Sequence, residues 1–177
     1  MTPGGDAPRI ESVTDLFAVA YQIEIDAVER YAMLTEQMAN QGNTELAAVF
    51  RDLARAEGLH AAEILQLGAG MDVPERAPRV ARWTRTESPE AVDMGEAHYL
   101  MTRWDALRLA LAGEERALAY YRDVARDAVD PELRTAAARF IEEETAHVEL
   151  CHRLLRKYPP PPADADRDDP DSPVAQG

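Results

Sequence analysis

The chain has 177 residues, 46% hydrophobic and 29% charged, with 33 acidic against 19 basic side chains and a net charge of -14. That excess of negative charge opposes nucleic acid and anionic membrane as partners and leaves metal cations as the natural exception. A single cysteine, Cys151, excludes an intrachain disulfide and a Cys-cluster metal site, and no apolar run approaches the ~20 residues needed to span a bilayer.

Residues 1–11 are Pro/Gly-rich and lack the apolar core of a signal peptide, so they are expected to be flexible and the protein cytoplasmic. Ala, Leu, Glu and Arg dominate the rest, a composition that favours helices. The first helix opens near Ser12 or Thr14, where Ser12-x-x-Asp15 resembles a capping box with Asp in place of Glu. It runs to about residue 39. Leu16, Phe17, Ala20, Ile23, Ala27, Tyr31 and Leu34 recur along it at helical spacing, with Glu24 inside the stripe. Gly42 suits the helix end, and Asn43 caps a second helix over 44–67. Its inward positions are Leu46, Val49, Phe50, Leu53, Ala56, His60, Ile64 and Leu67. Residues 68–101 form a long connection in which Ser88 and Pro89 predict a short helix over 89–99. Arg76, Arg79, Arg82 and Arg85 recur every third residue there; in polyproline II they would share one face, suited to docking on the acidic bundle or tail. Thr102-x-x-Asp105 starts the third long helix, which continues to about residue 128 with Glu114 on its apolar side. Asp130-Pro131 opens the fourth, which ends near residue 157. From residue 159 four prolines and an acidic run follow; they cannot bury a core and are expected to be disordered.

Glu57-x-x-His60 on the second helix is repeated as Glu144-x-x-His147 on the fourth. Three residues turn a helix by about 300° and raise it about 4.5 Å, so acid and imidazole share one face, here the apolar one. A single such pair is a weak signal, because Glu and His at this spacing are common on solvated helices. The two halves of the chain repeat as wholes, however. Ser12 lies twelve residues before Glu24 and Thr102 twelve before Glu114; Asn43 lies fourteen before Glu57 and Asp130 fourteen before Glu144. Glu24-x-x-Ala27-x-x-x-Tyr31 matches Glu114-x-x-Ala117-x-x-x-Tyr121, and the net difference is a first-hairpin loop three residues longer than the second. Two equal helix hairpins joined by a long crossover describe an all-α four-helix bundle over residues 12–158.

One Glu on each of the first and third helices, with Glu-x-x-His on the second and fourth, resembles the ferritin-like di-iron carboxylate superfamily, a known instance of this arrangement. Glu24-x-x-Ala-x-x-Arg30-Tyr31 and Ala56-Glu57-x-x-His60 are most similar to its rubrerythrin branch. The resemblance implies a metal centre of Glu24, Glu57, His60, Glu114, Glu144 and His147 that holds two iron ions per chain, with manganese or zinc as substitutes. Glu24 and His60 would serve one ion, Glu114 and His147 the other, with Glu57 and Glu144 as bridges; no catalytic residue beyond these ligands is implied. One cysteine leaves no rubredoxin-type Cys₄ centre. Ala117 stands where rubrerythrins carry a further carboxylate, and Gly58 where bacterioferritin carries its haem-binding Met. The expectation is a rubrerythrin-like domain without rubredoxin or haem, supplied by an external electron donor.

Four carboxylates and two neutral imidazoles balance two divalent cations, and without metal the acids would repel and take up protons. Such ligands suit iron or manganese, and two metals about 3.5–4 Å apart can share two-electron chemistry with dioxygen or hydrogen peroxide. The implied function is a di-iron oxidoreductase that reduces peroxide or oxidises Fe(II). The alternative is an iron-sequestering or delivery protein without significant turnover. A homodimer is a further expectation. Glu115, Glu142 and Glu143 are expected to be solvated, His98 and His152 to be surface residues, and Cys151 to lie in the core. Gly58 and Gly113 are expected to allow close helix packing, with space for a substrate channel as the alternative, whereas Tyr31 and Tyr121 are equally compatible with core packing and with a role beside the metal.

Overall fold

A computed structural model describes residues 10–80 and 101–161. Their elements are α1 (Val13–Asn40), α2 (Thr44–Leu67), α3 (Val73–Val80), α4 (Arg103–Asp127) and α5 (Pro131–Lys157). Helices α1 and α2 pack as one hairpin and α4 and α5 as another; α1 also touches α4 and α5, and α3 lies on α1. This is an all-α ferritin-like bundle. Among the described residues no helix is long and apolar enough to cross a membrane.

The predicted N-caps of the four long helices form. The Ser12 hydroxyl accepts from the Asp15 N–H at 3.1 Å and Asn43 Oδ1 from the Leu46 N–H at 3.1 Å. Thr102 and Asp105 close a reciprocal box, and Asp130 accepts from the Glu132 N–H with Pro131 at the first turn. Thr102→Ala is therefore expected to lower unfolding free energy by about 1 kcal/mol, read from denaturant melts. The three extra residues of the first half are not in its loop, as the spacing suggested. The loops 41–43 and 128–130 are equal, and α1 has 28 residues against 25 in α4.

Helix α3 replaces the expected polyproline strip over 73–80. Proline fits a first turn, where its missing N–H costs nothing, and Val73 and Ala77 at i, i+4 bury against the bundle. Arg76 reaches Asp15 of α1 at 3.0 Å, so this arginine docks on the acidic bundle from a helix. The turn into α3 carries positive φ at Gly70 and Asp72. At Gly68 a Cβ would lie 2.6 Å from a Val73 methyl, so only glycine lets α3 fold back this closely. The predicted helix over 89–99, Arg82, Arg85, His98 and the tail beyond residue 161 lie outside the described residues.

Two apolar clusters form the core. One centres on Tyr31, Leu34, Phe50 and Leu107, the other on Leu16, Phe17, Ile23, Ile64, Tyr121 and Phe140. Each large side chain so buried contributes roughly 1.5–3 kcal/mol. Leu67, placed inward by periodicity, is instead 43% exposed at the end of α2. Gly58 is exposed with open space around its Cα, so it does not serve close packing.

Candidate metal centre

Along every long helix one carboxylate falls between the two apolar clusters: Glu24 on α1, Glu57 on α2, Glu114 on α4 and Glu144 on α5. None is more than 4% exposed, and with Arg30 they are the buried charged residues among those described. An unpaired acid there costs several kcal/mol, so the helices converge at a point where apolar packing alone predicts Leu or Ala. Helical spacing does the positioning, because each acid continues the inward stripe of its own helix.

Glu57 lies at the centre. Its Oε2 is 3.3 Å from His60 Nδ1 and its Oε1 is 3.3 Å from His147 Nδ1. His147 Nδ1 also faces Glu114 Oε2 at 3.4 Å and Glu144 Oε2 at 3.8 Å. The two imidazoles stack, centroids 5.4 Å apart and planes 13° from parallel. Donor atoms of Glu57, His60 and His147 lie within 4.8 Å of one another, as do those of Glu114, Glu144 and His147; either set could hold a metal ion. Glu24 stands at the edge, outside both compact sets, with its Oε2 3.9 Å from His60 Nδ1. Glu57 Oε1 and His147 Nδ1 are buried without a hydrogen-bond partner among the described residues although they face each other. Buried polar atoms left in that state fit a cation that would engage both.

Arg30 and Tyr31 act on Glu114 from the opposite hairpin. The Arg30 guanidinium donates to Glu114 Oε1 at 2.7 Å, and the Tyr31 hydroxyl makes a short hydrogen bond to the same oxygen. Oε2 is left facing His147. Burial is the largest single influence and works to raise the Glu114 pKa, but Arg30 and His147 together outweigh it and bring the group down to about 2. The two halves differ here: Tyr121 matches Tyr31 in the repeat, yet its buried hydroxyl has no hydrogen-bond partner among the described residues. Arg30 was visible in sequence only as part of a motif, and its match in the second half is Tyr120. Arg30→Met is expected to destabilise the fold by about 3–5 kcal/mol, because it strands a buried carboxylate. The double variant with Glu114→Met should recover much of that in denaturant melts of metal-free protein.

The other groups shift as a crowded acid cluster demands. Burial foremost, then the charges of Glu57 and Glu144, raises Glu24, and burial pushes Glu144 up to about 8. Burial disfavours a charged His147, but Glu114 and Glu144 outweigh it and raise the imidazole to about 11. Protons thus stand where cations would. Glu115, Glu142 and His152 are exposed as expected and Cys151 is buried, but Glu143 is half-buried beside His60, not solvated.

A bundle of two hairpins with carboxylates and imidazoles gathered between two apolar clusters is the architecture of the ferritin-like class. The profile of the rubrerythrin family matches residues 15–103. A crystal structure of an uncharacterized conserved protein from Magnetospirillum magnetotacticum shares 35% sequence identity, covering 85% of this chain and 97% of that one with a TM-score of 0.71. The chain belongs to the rubrerythrin family. Among curated proteins none matches it.

Proposed function

We propose that the protein is a di-iron oxidoreductase whose centre is held by Glu24, Glu57, His60, Glu114, Glu144 and His147. The observation that carries this reading is Glu57, whose two oxygens face two imidazoles at 3.3 Å each, as a bridge between two cations requires. Two irons held there would supply two electrons together to hydrogen peroxide or dioxygen. The chain's own residues set the conditions. Arg30 and Tyr31 keep Glu114 ionised with one oxygen directed at the centre. Arg30 also adds a buried positive charge beyond the four-against-four balance, which favours an anionic ligand at the loaded centre. The His60 side chain, 24% exposed, leaves an approach from outside while the carboxylates stay dry.

The test is steady-state peroxide consumption by iron-loaded protein with an added external electron donor. Many turnovers per centre, abolished in Glu57→Ala, support the proposal. One stoichiometric oxidation followed by arrest would favour sequestration or delivery of iron.

A further inference from the structure

A cleft of ≈ 400 Å³ lies between α2 and α5, with His60 in its lining. On α2 its wall is His60, Ile64 and Leu67, one helix face at i, i+4 and i+7. Phe17 of α1 and Pro131, Ala136 and Phe140 of α5 add further apolar lining. From His60 to Leu67 the wall is roughly 10 Å long at the helical rise. Its volume lies in the range of small-molecule pockets. Leu67, exposed despite its inward period, and Glu143, half-buried, both border this space together with His60.

Hydrogen peroxide and dioxygen need no such volume, and hydrogen peroxide, being polar, gains nothing from an apolar wall. The charges select further. Glu63, Glu132 and Glu143 line the cleft, while Arg139, the one Lys or Arg among its described lining residues, is bound to Glu63 at 2.7 Å. That balance repels a carboxylate or phosphate head and leaves His60 and Glu143 to hydrogen-bond an uncharged one.

We propose that this cleft binds neutral organic hydroperoxides, apolar body against Ile64, Leu67 and Phe140 and peroxide end toward His60. The inference rests on the di-iron reading for its chemistry, not for the binding. In the reaction the O–O bond breaks with uptake of two electrons and two protons. The organic half leaves as its alcohol and the other oxygen as water, with Fe(II) as reductant.

The probe is 2-phenylpropan-2-ol, the alcohol formed from cumene hydroperoxide, titrated into the full chain and followed by methyl NMR. Saturable shifts at Ile64 and Leu67, half-complete at about 1 mM or below, are expected from ordinary ligand efficiency. The carboxylate 2-phenylpropanoate should bind at least about tenfold more weakly. Ala136→Trp, which fills the cleft without touching the six site residues, should abolish the shifts. It should also lower cumene hydroperoxide reduction about tenfold or more while hydrogen peroxide reduction persists. Shifts absent in wild type, located elsewhere, or equal for alcohol and carboxylate would overturn the proposal, and this arm does not depend on how Ala136→Trp folds. Hydrogen peroxide turnover without alcohol binding would sink the cleft alone. Alcohol binding without any turnover would sink the di-iron reading alone.

Discussion

Glu57→Ala is expected to bring iron content down from about two ions per chain to below about one, the largest loss among single ligand variants. The reason is geometric. Both Glu57 oxygens face imidazoles, at 3.3 Å each, so truncation removes a donor from both halves of the centre at once. Glu24 meets only His60, at 3.9 Å, and lies outside the compact donor sets, so Glu24→Ala should retain more metal. Glu144→Ala should also lose much, because Glu144 shares His147 with Glu114. Elemental analysis after iron loading and desalting reads the order directly. Equal content in Glu57→Ala and Glu24→Ala would mean that Glu57 does not bridge.

Metal is expected to raise the melting temperature, and to raise it more as pH increases. At free metal about a thousandfold above Kd the linkage amounts to ~4 kcal/mol. The pH dependence follows from where the protons sit. Burial raises Glu24 and takes Glu144 to about 8, and the surrounding acids carry His147 to about 11 against its burial. Unfolded, a Glu releases its proton near 4.5 and a His near 6.5. Between about 4.5 and 11 the folded metal-free chain therefore binds more protons than the unfolded chain, and its stability falls as pH rises. Glu114 has the opposite sign. Held at about 2, it contributes stability above the ordinary Glu range that is lost only as pH falls toward 2, so it leaves the neutral slope unchanged. Bound cations replace the site protons and remove that slope. Melts at about pH 6 and about pH 9, with and without metal, should show the smaller gain at the lower pH. A gain that shrinks with rising pH would contradict this account of the cluster.

Most of the fold was legible because local signals agreed. Ser12, Asn43, Thr102 and Asp130 each begin a helix where their side chains suggested. The inward period of four helices placed four acids in one buried layer, and the internal repeat made their register secure. What escaped depended on contacts between distant segments. Helix α3 contains Pro74 and Pro78, and its stability comes from Val73 and Ala77 packed on the bundle, which no local propensity registers. Leu67 and Glu143 departed from their expected environments where α2 and α5 line a cleft, a property of two helices and not of either period. Arg30 sits on a helix as any surface arginine might. Only Glu114, 84 positions away in the other hairpin, makes it part of the centre.

Mössbauer spectroscopy of protein loaded with iron-57 and oxidised tests the central claim most directly. Six residues meeting at one centre predict about two irons per chain, coupled through shared carboxylates into a diamagnetic diferric ground state. Isolated high-spin ferric ions, or a single iron per chain, would contradict a dinuclear centre bridged by Glu57.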